Sequence, residues 1–200
     1  LCLSMTSTLA ARVLALLLLC PSSGSYEPST LPDIRDPRFI EECVHTHNQF
    51  RAEVNPPASN MLYMSWDPDL AKTAKGWAKK CQFRHNIHLR VPGKAHPRFN
   101  YVGENLWTGS LSAFSAKRAI TAWHSEVSVY TFETHKCTGV CGHYTQIVWA
   151  ASYKVGCAVH FCPRMAYSSV TNAGHFICNY GPAGNYPTRP YLRGPACSDC

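Results

Sequence analysis

The chain has 200 residues, of which 46% are hydrophobic and 16% are charged, so it suits one globular domain with a sizeable core and is too apolar to be disordered. Its formal net charge of +7 is modest, and its lysines and arginines are scattered along the chain rather than collected in one run. This pattern argues against a nucleic-acid partner.

The N-terminal segment has the pattern of a secretory signal peptide. Arg12 precedes an apolar run at residues 13–20, and small residues follow it. The run is too short to span a bilayer. We therefore expect residues 1–24 to be a signal peptide, with Met5 as its initiator and the residues before Met5 as a translated artefact. The mature chain is accordingly expected to be secreted or extracellular.

Two Asp-Pro pairs predict two helix starts, because aspartate caps a helix and proline suits the first helical position. After Asp36-Pro37, apolar residues recur at helical spacing until Asn55-Pro56-Pro57 ends the helix. After Asp67-Pro68, a second apolar face runs to Cys81. The lysines of this second helix are interpreted as a solvated face: Lys72, Lys75, Lys79 and Lys80.

The patterns further along the chain change from helical to β. Residues 91–100 contain two prolines and a glycine and are predicted to form a loop, and residues 113–130 a third helix. Helices followed by strands favour an α+β sandwich. After Tyr186 the chain becomes rich in Pro, Arg and Gly, so the domain is predicted to cover residues 34–186. The predicted strands lie at residues 145–149, 154–161 and 176–180.

The cysteines predict an oxidising compartment. Two of the 11 lie in the predicted leader, which leaves nine, so either one thiol is free or a partner is missing. Cys43 occupies a helical core position and is expected to be a buried free thiol. Residues 187–200 are interpreted as the start of a truncated cysteine-rich hinge, in which Cys197 and Cys200 pair mainly with cysteines beyond this chain.

Four motifs occur in an order typical of one family. The two long motifs are Gly-His-Tyr-Thr-Gln-Ile-Val-Trp at residues 142–149 and Phe-Ile-Cys-Asn-Tyr-Gly-Pro-Ala-Gly-Asn-Tyr at residues 176–186. The two short motifs are residues 47–51 and 103–105. The chain therefore resembles the CAP family (cysteine-rich secretory protein, antigen 5 and pathogenesis-related 1), and within it the glioma pathogenesis-related group. This resemblance implies an α-β-α sandwich of three layers with a central antiparallel sheet.

The resemblance also implies a cleft lined by two histidines and two glutamates. By motif these are His85, Glu104, Glu126 and His143, and His88 is an alternative to His85 because it lies one helical turn away. Two neutral imidazoles suit a divalent metal such as zinc, weakly held with open positions, while glutamates can orient the rings or hold a water. A hydrogen-bonded cluster that braces the sheet is the structural alternative.

The family pattern implies three disulfides, namely Cys81–Cys162, Cys137–Cys141 and Cys157–Cys178. Asn48, Arg51 and Asn105 are predicted to be buried polar groups that satisfy loop backbone. The glycines at 181 and 184 are expected to serve turn conformations. The remaining histidines are predicted to lie at the surface: His45, His96, His135, His160 and His175.

Two functions stay open at this point. The first is a binding module for a lipid or sterol, a metal or a protein, with its choice set by loops at residues 91–100 and 163–174. The alternative is a metal-dependent hydrolase that uses the same cleft. The sequence has neither Gly-x-Ser-x-Gly nor His-Glu-x-x-His, so we predict binding rather than enzymatic turnover. Some relatives add a C-terminal membrane anchor, so the extracellular location includes the outer face of a membrane.

Overall fold

The computed structural model describes residues 27–200, so the predicted signal peptide at residues 1–24 lies outside the described residues. Short 3-10 turns at residues 28–30, 111–113 and 125–129 accompany the main elements. The helices are α1 (Pro37–Ala52), α2 (Pro68–Ala78), α3 (Ala116–His124) and α4 (Gly142–Ile147), and the strands are β1 (Ser65–Trp66), β2 (Gly103–Ser110), β3 (Tyr130–Thr131), β4 (Lys136–Cys137), β5 (Lys154–Arg164) and β6 (Thr171–Gly181).

The two Asp-Pro helix starts are confirmed. The Asp36 carboxylate accepts a hydrogen bond from the backbone N–H of Arg38 at 2.9 Å. The Asp67 carboxylate accepts from the N–H groups of Asp69 at 2.8 Å and Leu70 at 3.1 Å. Each aspartate thus satisfies backbone donors that have no partner inside the helix. These local contacts are why a sequence pattern was sufficient to place both starts.

The α+β sandwich is also confirmed. The main sheet has the order β1-β5-β6-β2, in which β5, β6 and β2 are antiparallel and the two-residue β1 runs parallel to β5. Helix α2 packs on one face against Leu106, Ala158 and Ile177. Helices α1, α3 and α4 cover the other face, where Phe176 and Tyr180 lie in the main core. Strands β3 and β4 form a separate hairpin.

Strand β2 ends the sheet and was not predicted as a strand. The indole Nε1 of Trp123 in α3 donates a hydrogen bond to the carbonyl of Leu106 in the middle of this edge strand, at 2.9 Å. Trp123 itself is buried. The edge strand is therefore fixed to the helical layer as well as to β6.

The prediction of a strand at residues 145–149 is wrong, because residues 142–147 form α4. The carboxylate of Glu126 accepts hydrogen bonds from the N–H groups of His143 at 3.0 Å and Tyr144 at 3.2 Å. These bonds satisfy the first donors of the helix and place a negative charge at its N-terminus. The predicted third helix also ends earlier, since α3 stops at His124 and continues as a 3-10 turn over Ser125–Val129.

Half of the predicted loop at residues 163–174 is strand, whereas residues 91–100 contain no helix or strand, as predicted. Strands β5 and β6 extend into the former segment and leave only residues 165–170 to connect them. Met165 in this connection is buried against Cys162 and Ala173. Tyr167 remains 67% exposed. Met165 therefore contributes to core packing, and Tyr167 is the exposed side chain of this connection.

The described cysteines pair as the family pattern implies, with one exception. The structure joins Cys81 to Cys162, Cys137 to Cys141 and Cys157 to Cys178, and Cys43 is a buried free thiol. The expectation that Cys197 and Cys200 need outside partners is wrong, since they bond to each other. Their separation of three residues brings the two sulfurs within reach. The division at residue 186 stays a prediction.

Polar motif residues satisfy loop backbone, as predicted, with Arg51 buried and Asn48 partly buried. The side chain of Asn48 donates to the carbonyl of Met64 and accepts from its N–H, both at 2.8 Å. Arg51 is 2% exposed, and burial lowers the pKa of its guanidinium to about 9. That group donates only to main-chain carbonyls, those of residues 62, 147, 149 and 150. Arg51 thus ties three separate segments together.

The glycines at 181 and 184 do not serve left-handed turns, which corrects the sequence-based expectation. Neither has a positive φ. A Cβ at Gly184 would lie 2.6 Å from Cγ of Trp149, and one at Gly181 would lie 2.3 Å from the Phe99 ring. Both positions require glycine because aromatic side chains approach the backbone closely.

The buried His47 predicts a pH-dependent stability. Its ring bonds the carbonyl of Cys43 at 2.7 Å and the hydroxyl of Tyr180 at 2.9 Å, and burial lowers its pKa to about 4. Between its folded pKa and the unfolded value of ~6.5, the unfolded chain binds more protons, so stability falls as the pH falls. The contribution of His47 alone should make the free energy of unfolding in urea about 2.5 kcal/mol lower at pH 4.5 than at pH 7.

The matched test is the same pair of titrations on His47→Gln. Glutamine keeps a polar side chain but does not titrate, so the variant should be less stable at pH 7 and lose less stability on acidification. Burial also lowers the pKa of His175, so a smaller pH dependence should remain in the variant. An unchanged pH dependence in His47→Gln would show that other groups cause the effect.

Candidate functional site

The first half of the site is a buried carboxylate on strand β2. The Glu104 side chain is fully buried, and it faces the α2 side of the sheet beside Leu106. One of its oxygens accepts from His85 Nδ1 at 3.0 Å and from the N–H of Asn86 at 2.9 Å. The other accepts from the side-chain amide of Asn179 at 3.2 Å. The carboxylate is thus held by three donors, one of which is an imidazole.

The second half pairs Glu126 with His143. The His143 Nδ1 atom lies 2.6 Å from one oxygen of Glu126, while the other oxygen caps α4. The Glu126 side chain is 16% exposed and that of His143 is 28% exposed. The ring of His143 lies parallel to that of the buried Trp123, with centroids 6.1 Å apart. The helix cap therefore also fixes the position of the imidazole.

The two histidine–glutamate pairs flank the same edge strand. Glu104 and Asn105 are neighbours on β2, so their side chains lie on opposite faces of the sheet. The Asn105 amide donates to the carbonyl of His143 at 3.0 Å and to the hydroxyl of Tyr180 at 3.2 Å. Within residues 27–200, no hydrogen bond or ion pair links one histidine–glutamate pair to the other. Strand β2 is the element that both pairs share.

Both pairs leave the same ring nitrogen open. In His85 and His143 it is Nδ1 that meets the carboxylate, and in the described part of the chain neither Nε2 makes a hydrogen bond. A glutamate that accepts from Nδ1–H fixes the neutral tautomer with a lone pair on Nε2, which is the form that binds metal. The His85 side chain is 63% exposed. Each ring is therefore in the form in which an imidazole can act as a zinc ligand.

The Glu104 carboxylate also changes the proton affinity of His85. The hydrogen bond to Glu104 raises the pKa of the His85 ring, and partial burial opposes that rise. A raised histidine pKa means that a proton competes more strongly with a metal for the ring.

Another group of candidate ligands does not fit a metal. Among residues 27–200, Asp67, Asp69 and His96 are the group of three whose ligand atoms lie within 4.8 Å of one another. His96 Nδ1 accepts from the N–H groups of Arg98 at 3.1 Å and Phe99 at 3.2 Å. A neutral ring must then carry its proton on Nε2, which donates to Asp67 at 3.3 Å. Neither ring nitrogen is free, so this cluster serves the cap of α2.

The other histidines lie away from the site. His88 is exposed, and the structure places His85, not His88, on Glu104. The ring of His124 stacks on Phe50 with centroids 3.8 Å apart. The predicted surface position is wrong for His96 and His175, which are 2% and 0% exposed. Their long-range partners, Asp67 and the carbonyl of Ala78, hold them inside.

Sequence reasoning missed Asn179 as a residue of the site. It lies directly opposite Glu104 in the β2–β6 pairing, where its amide holds one carboxylate oxygen. The only signal was its position inside the second long motif, at Cys178-Asn179-Tyr180. Because β2 was not predicted as a strand, the pairing that brings the two residues together could not be derived.

The comparisons with known proteins agree with the fold. In the described part of the chain, no helix combines the length and the hydrophobicity that crossing a bilayer requires. Residues 44–180 match the family model for CAP, the cysteine-rich secretory protein family. The chain is 58% identical over 181 residues to glioma pathogenesis-related protein 1 of Mus musculus, covering 90% of this chain and 66% of that protein.

Two further similarities extend this result. The chain is 50% identical over 173 residues to GLIPR1-like protein 1 of Homo sapiens, covering 86% of this chain and 70% of that protein. The crystal structure of NaASP2 with Zn2+ is similar at a TM-score of 0.62 and 27% identity, covering 90% of this chain and 94% of that one. The chain thus spans about two thirds of the length of these two curated relatives.

Proposed function

Because this chain belongs to the cysteine-rich secretory protein (CAP) family, we propose that it acts outside the cell by binding ligands, through a cleft in which His85 and His143 hold zinc. One observation carries the metal part of this proposal. Each imidazole donates Nδ1–H to its own glutamate and keeps Nε2 free. A carboxylate on Nδ1 is typical of metal-binding histidines, and this supports the two rings beside β2 as the proposed ligand set.

The chemistry of the ligand set favours a weakly held, exchangeable ion. Two imidazoles leave other coordination positions to solvent or to a bound molecule, and structural zinc sites use four protein ligands. Glu104 and Glu126 would orient the rings and remain on Nδ1. A zinc ion held this way would supply a positive charge and open positions for a ligand atom. The crystal structure of the similar NaASP2 with Zn2+ supports the choice of metal.

Binding is favoured over turnover by the neighbours of the two rings. In the described residues, the hydrogen-bond partners of the His85 and His143 rings are carboxylates, not serine, threonine or cysteine side chains. A nucleophile activated by histidine has to be hydrogen-bonded to it. The alternative function, a metal-dependent hydrolase, would have to use water at the metal.

The proposal also covers the binding partners of this protein and its location outside the cell. Four disulfides in the described chain suit an extracellular protein. We propose a lipid or sterol, or another protein, as the molecule that this domain binds, and no nucleic acid. A location at the outer face of a membrane would come from segments other than the described domain.

Calorimetric titration with zinc tests the cleft. The wild-type protein should bind one zinc ion, and His85→Ala/His143→Ala should bind it at least about 100-fold more weakly, because both protein ligands are lost. The control is His45→Ala/His88→Ala, which removes two exposed imidazoles including the alternative ligand His88. This control should bind zinc like the wild type.

Three results would contradict the proposal in different ways. Unchanged zinc affinity in His85→Ala/His143→Ala would show that these histidines are not the ligands. Lost affinity in the control would instead assign the zinc site to His88. If His85→Ala/His143→Ala failed to fold, the result would favour the alternative in which these residues form a hydrogen-bonded cluster that braces the sheet. The same preparations should show no peptide or ester turnover above background, and activity that disappears in Glu104→Gln would establish the hydrolase instead.

A further inference from the structure

A basic surface lies beside the cleft, at the end of α2. Four cations form it, namely Lys79, Lys80, Arg84 and Arg164, and all four are exposed. Among residues 27–200 the ion pairs of the neighbouring lysines are Lys72–Asp69 and Lys75–Asp33. None of the four surface cations takes part in a described ion pair. No described carboxylate therefore neutralises their charges, and Lys80 lies over the Trp77 ring with its Nζ 4.7 Å from the ring centre.

Two chain segments bring these cations together. The Cys81–Cys162 disulfide joins them with a Cα–Cα distance of 5.6 Å. Two backbone hydrogen bonds continue the junction, from Phe83 N–H to the carbonyl of Ala166 at 2.9 Å and from Ala166 N–H to the carbonyl of Cys81 at 2.8 Å. Residues 79–84 and 162–167 thus run side by side as one rigid platform.

The platform contains no acidic residue to balance the charge. The chain has no Asp or Glu between Asp69 and Glu104, and none between Glu133 and Asp199. Both platform segments lie inside these intervals. The pKa of His160, also on β5, is lowered by burial first and then by the charges of Lys79 and Lys75, which is consistent with a positive field that extends onto β5.

Neighbouring side chains hold Arg84 in an orientation that suits pairing with an anionic group. Its guanidinium carbon lies 4.8 Å from the centre of the Tyr167 ring. Its nitrogens donate to the hydroxyl of Tyr167 at 3.1 Å and to the side chain of Gln82 at 3.0 Å. A planar guanidinium that is already oriented loses little entropy when it pairs with a sulfate or carboxylate, and its remaining donors match those groups.

We infer that this basic surface binds a sulfated polysaccharide. The disulfides indicate an oxidising compartment, where thiols stay paired, and sulfated glycans are polyanions found outside the cell. A membrane is less well matched, because stable membrane binding adds apolar insertion to charge, and Arg84 lies over one face of the exposed Tyr167 ring on this surface. The inference does not depend on zinc in the cleft.

Fluorescence anisotropy with a labelled heparin octasaccharide tests it, with EDTA present so that the cleft takes no part. At about 50 mM NaCl, Lys79→Gln/Lys80→Gln and Arg84→Gln/Arg164→Gln should each weaken the Kd about tenfold, because each removes two ionic contacts. The matched control is Lys117→Gln/Arg118→Gln, which removes two exposed charges from α3 on the opposite face. It should change the Kd less than about twofold.

The specificity arms use desulfated heparin, phosphatidylserine vesicles and duplex DNA as probes. Heparin should bind about tenfold more tightly than each of them, since the inferred ligand carries sulfate. If the surface variants and the α3 control lost the same heparin affinity, net charge alone would explain the effect, and the inference would be overturned. Equal or tighter binding of vesicles or DNA would also overturn it. All four substituted positions are exposed, and melting curves should confirm that the variants fold.

Discussion

Replacing Arg51 with methionine should lower the free energy of unfolding by about 4 kcal/mol, because buried acceptors left without donors each cost about 1–3 kcal/mol. The Arg51 guanidinium donates to four main-chain carbonyls and is 2% exposed. Methionine fills similar space but donates nothing. Urea unfolding at pH 7, followed by tryptophan fluorescence, measures the loss.

Two further variants separate hydrogen bonding from charge and from position. Arg51→Lys keeps the positive charge but has fewer donors in a less suitable geometry, so its loss of stability should be intermediate. Arg38→Met changes an exposed arginine of the same helix and should stay within about 0.5 kcal/mol of the wild type. If Arg51→Met and Arg38→Met were equally stable, Arg51 would not hold the segments together.

Removing the Cys81–Cys162 disulfide should cost about 4 kcal/mol in the loop-entropy description of crosslinks. The bond closes a loop with a sequence separation of 81 residues, and Cys162 is fully buried. The variant Cys81→Ala/Cys162→Ala leaves the other bonds in place. Its unfolding in urea under non-reducing conditions should show the full loss.

The Cys137–Cys141 bond is the natural comparison, because it spans only four residues. The same description gives about 2 kcal/mol for Cys137→Ala/Cys141→Ala. The difference between the two variants should therefore be about 2 kcal/mol in favour of the long loop. Equal losses would mean that local packing, rather than the constraint on the unfolded chain, sets the contribution of each bond.

The parts of the fold that were predictable depend on neighbours in sequence. Asp36 and Asp67 cap helices two or three residues away, so a local pattern contains the whole interaction. The family resemblance supplied the layers of the sandwich and three cysteine pairs. It also identified His85 and Glu104 as residues of one cleft, and the structure places their side chains in contact.

The parts that were missed depend on contacts between distant segments. Strand β2 contains two glycines and few β-branched residues, and it forms because β6 supplies its partner. Residues 145–149 were predicted to be a strand, but residues 142–147 form a helix whose first donors bond to Glu126, from another element. His96 and His175 are polar and were predicted to be exposed, yet each is buried and bonded to a residue distant in sequence. No local propensity could reveal these three results.

The hydrogen bond from Trp123 to the carbonyl of Leu106 has a consequence for the protein in concentrated solution. An edge strand with a free row of N–H and C=O groups can recruit a strand from another molecule and start a fibre. In β2, the indole occupies that row near its middle, whereas on the opposite margin β1 pairs with only the first two residues of the 11-residue β5. The bond from Trp123 therefore shortens the template that β2 offers, so this margin of the sheet resists sheet-to-sheet polymerisation.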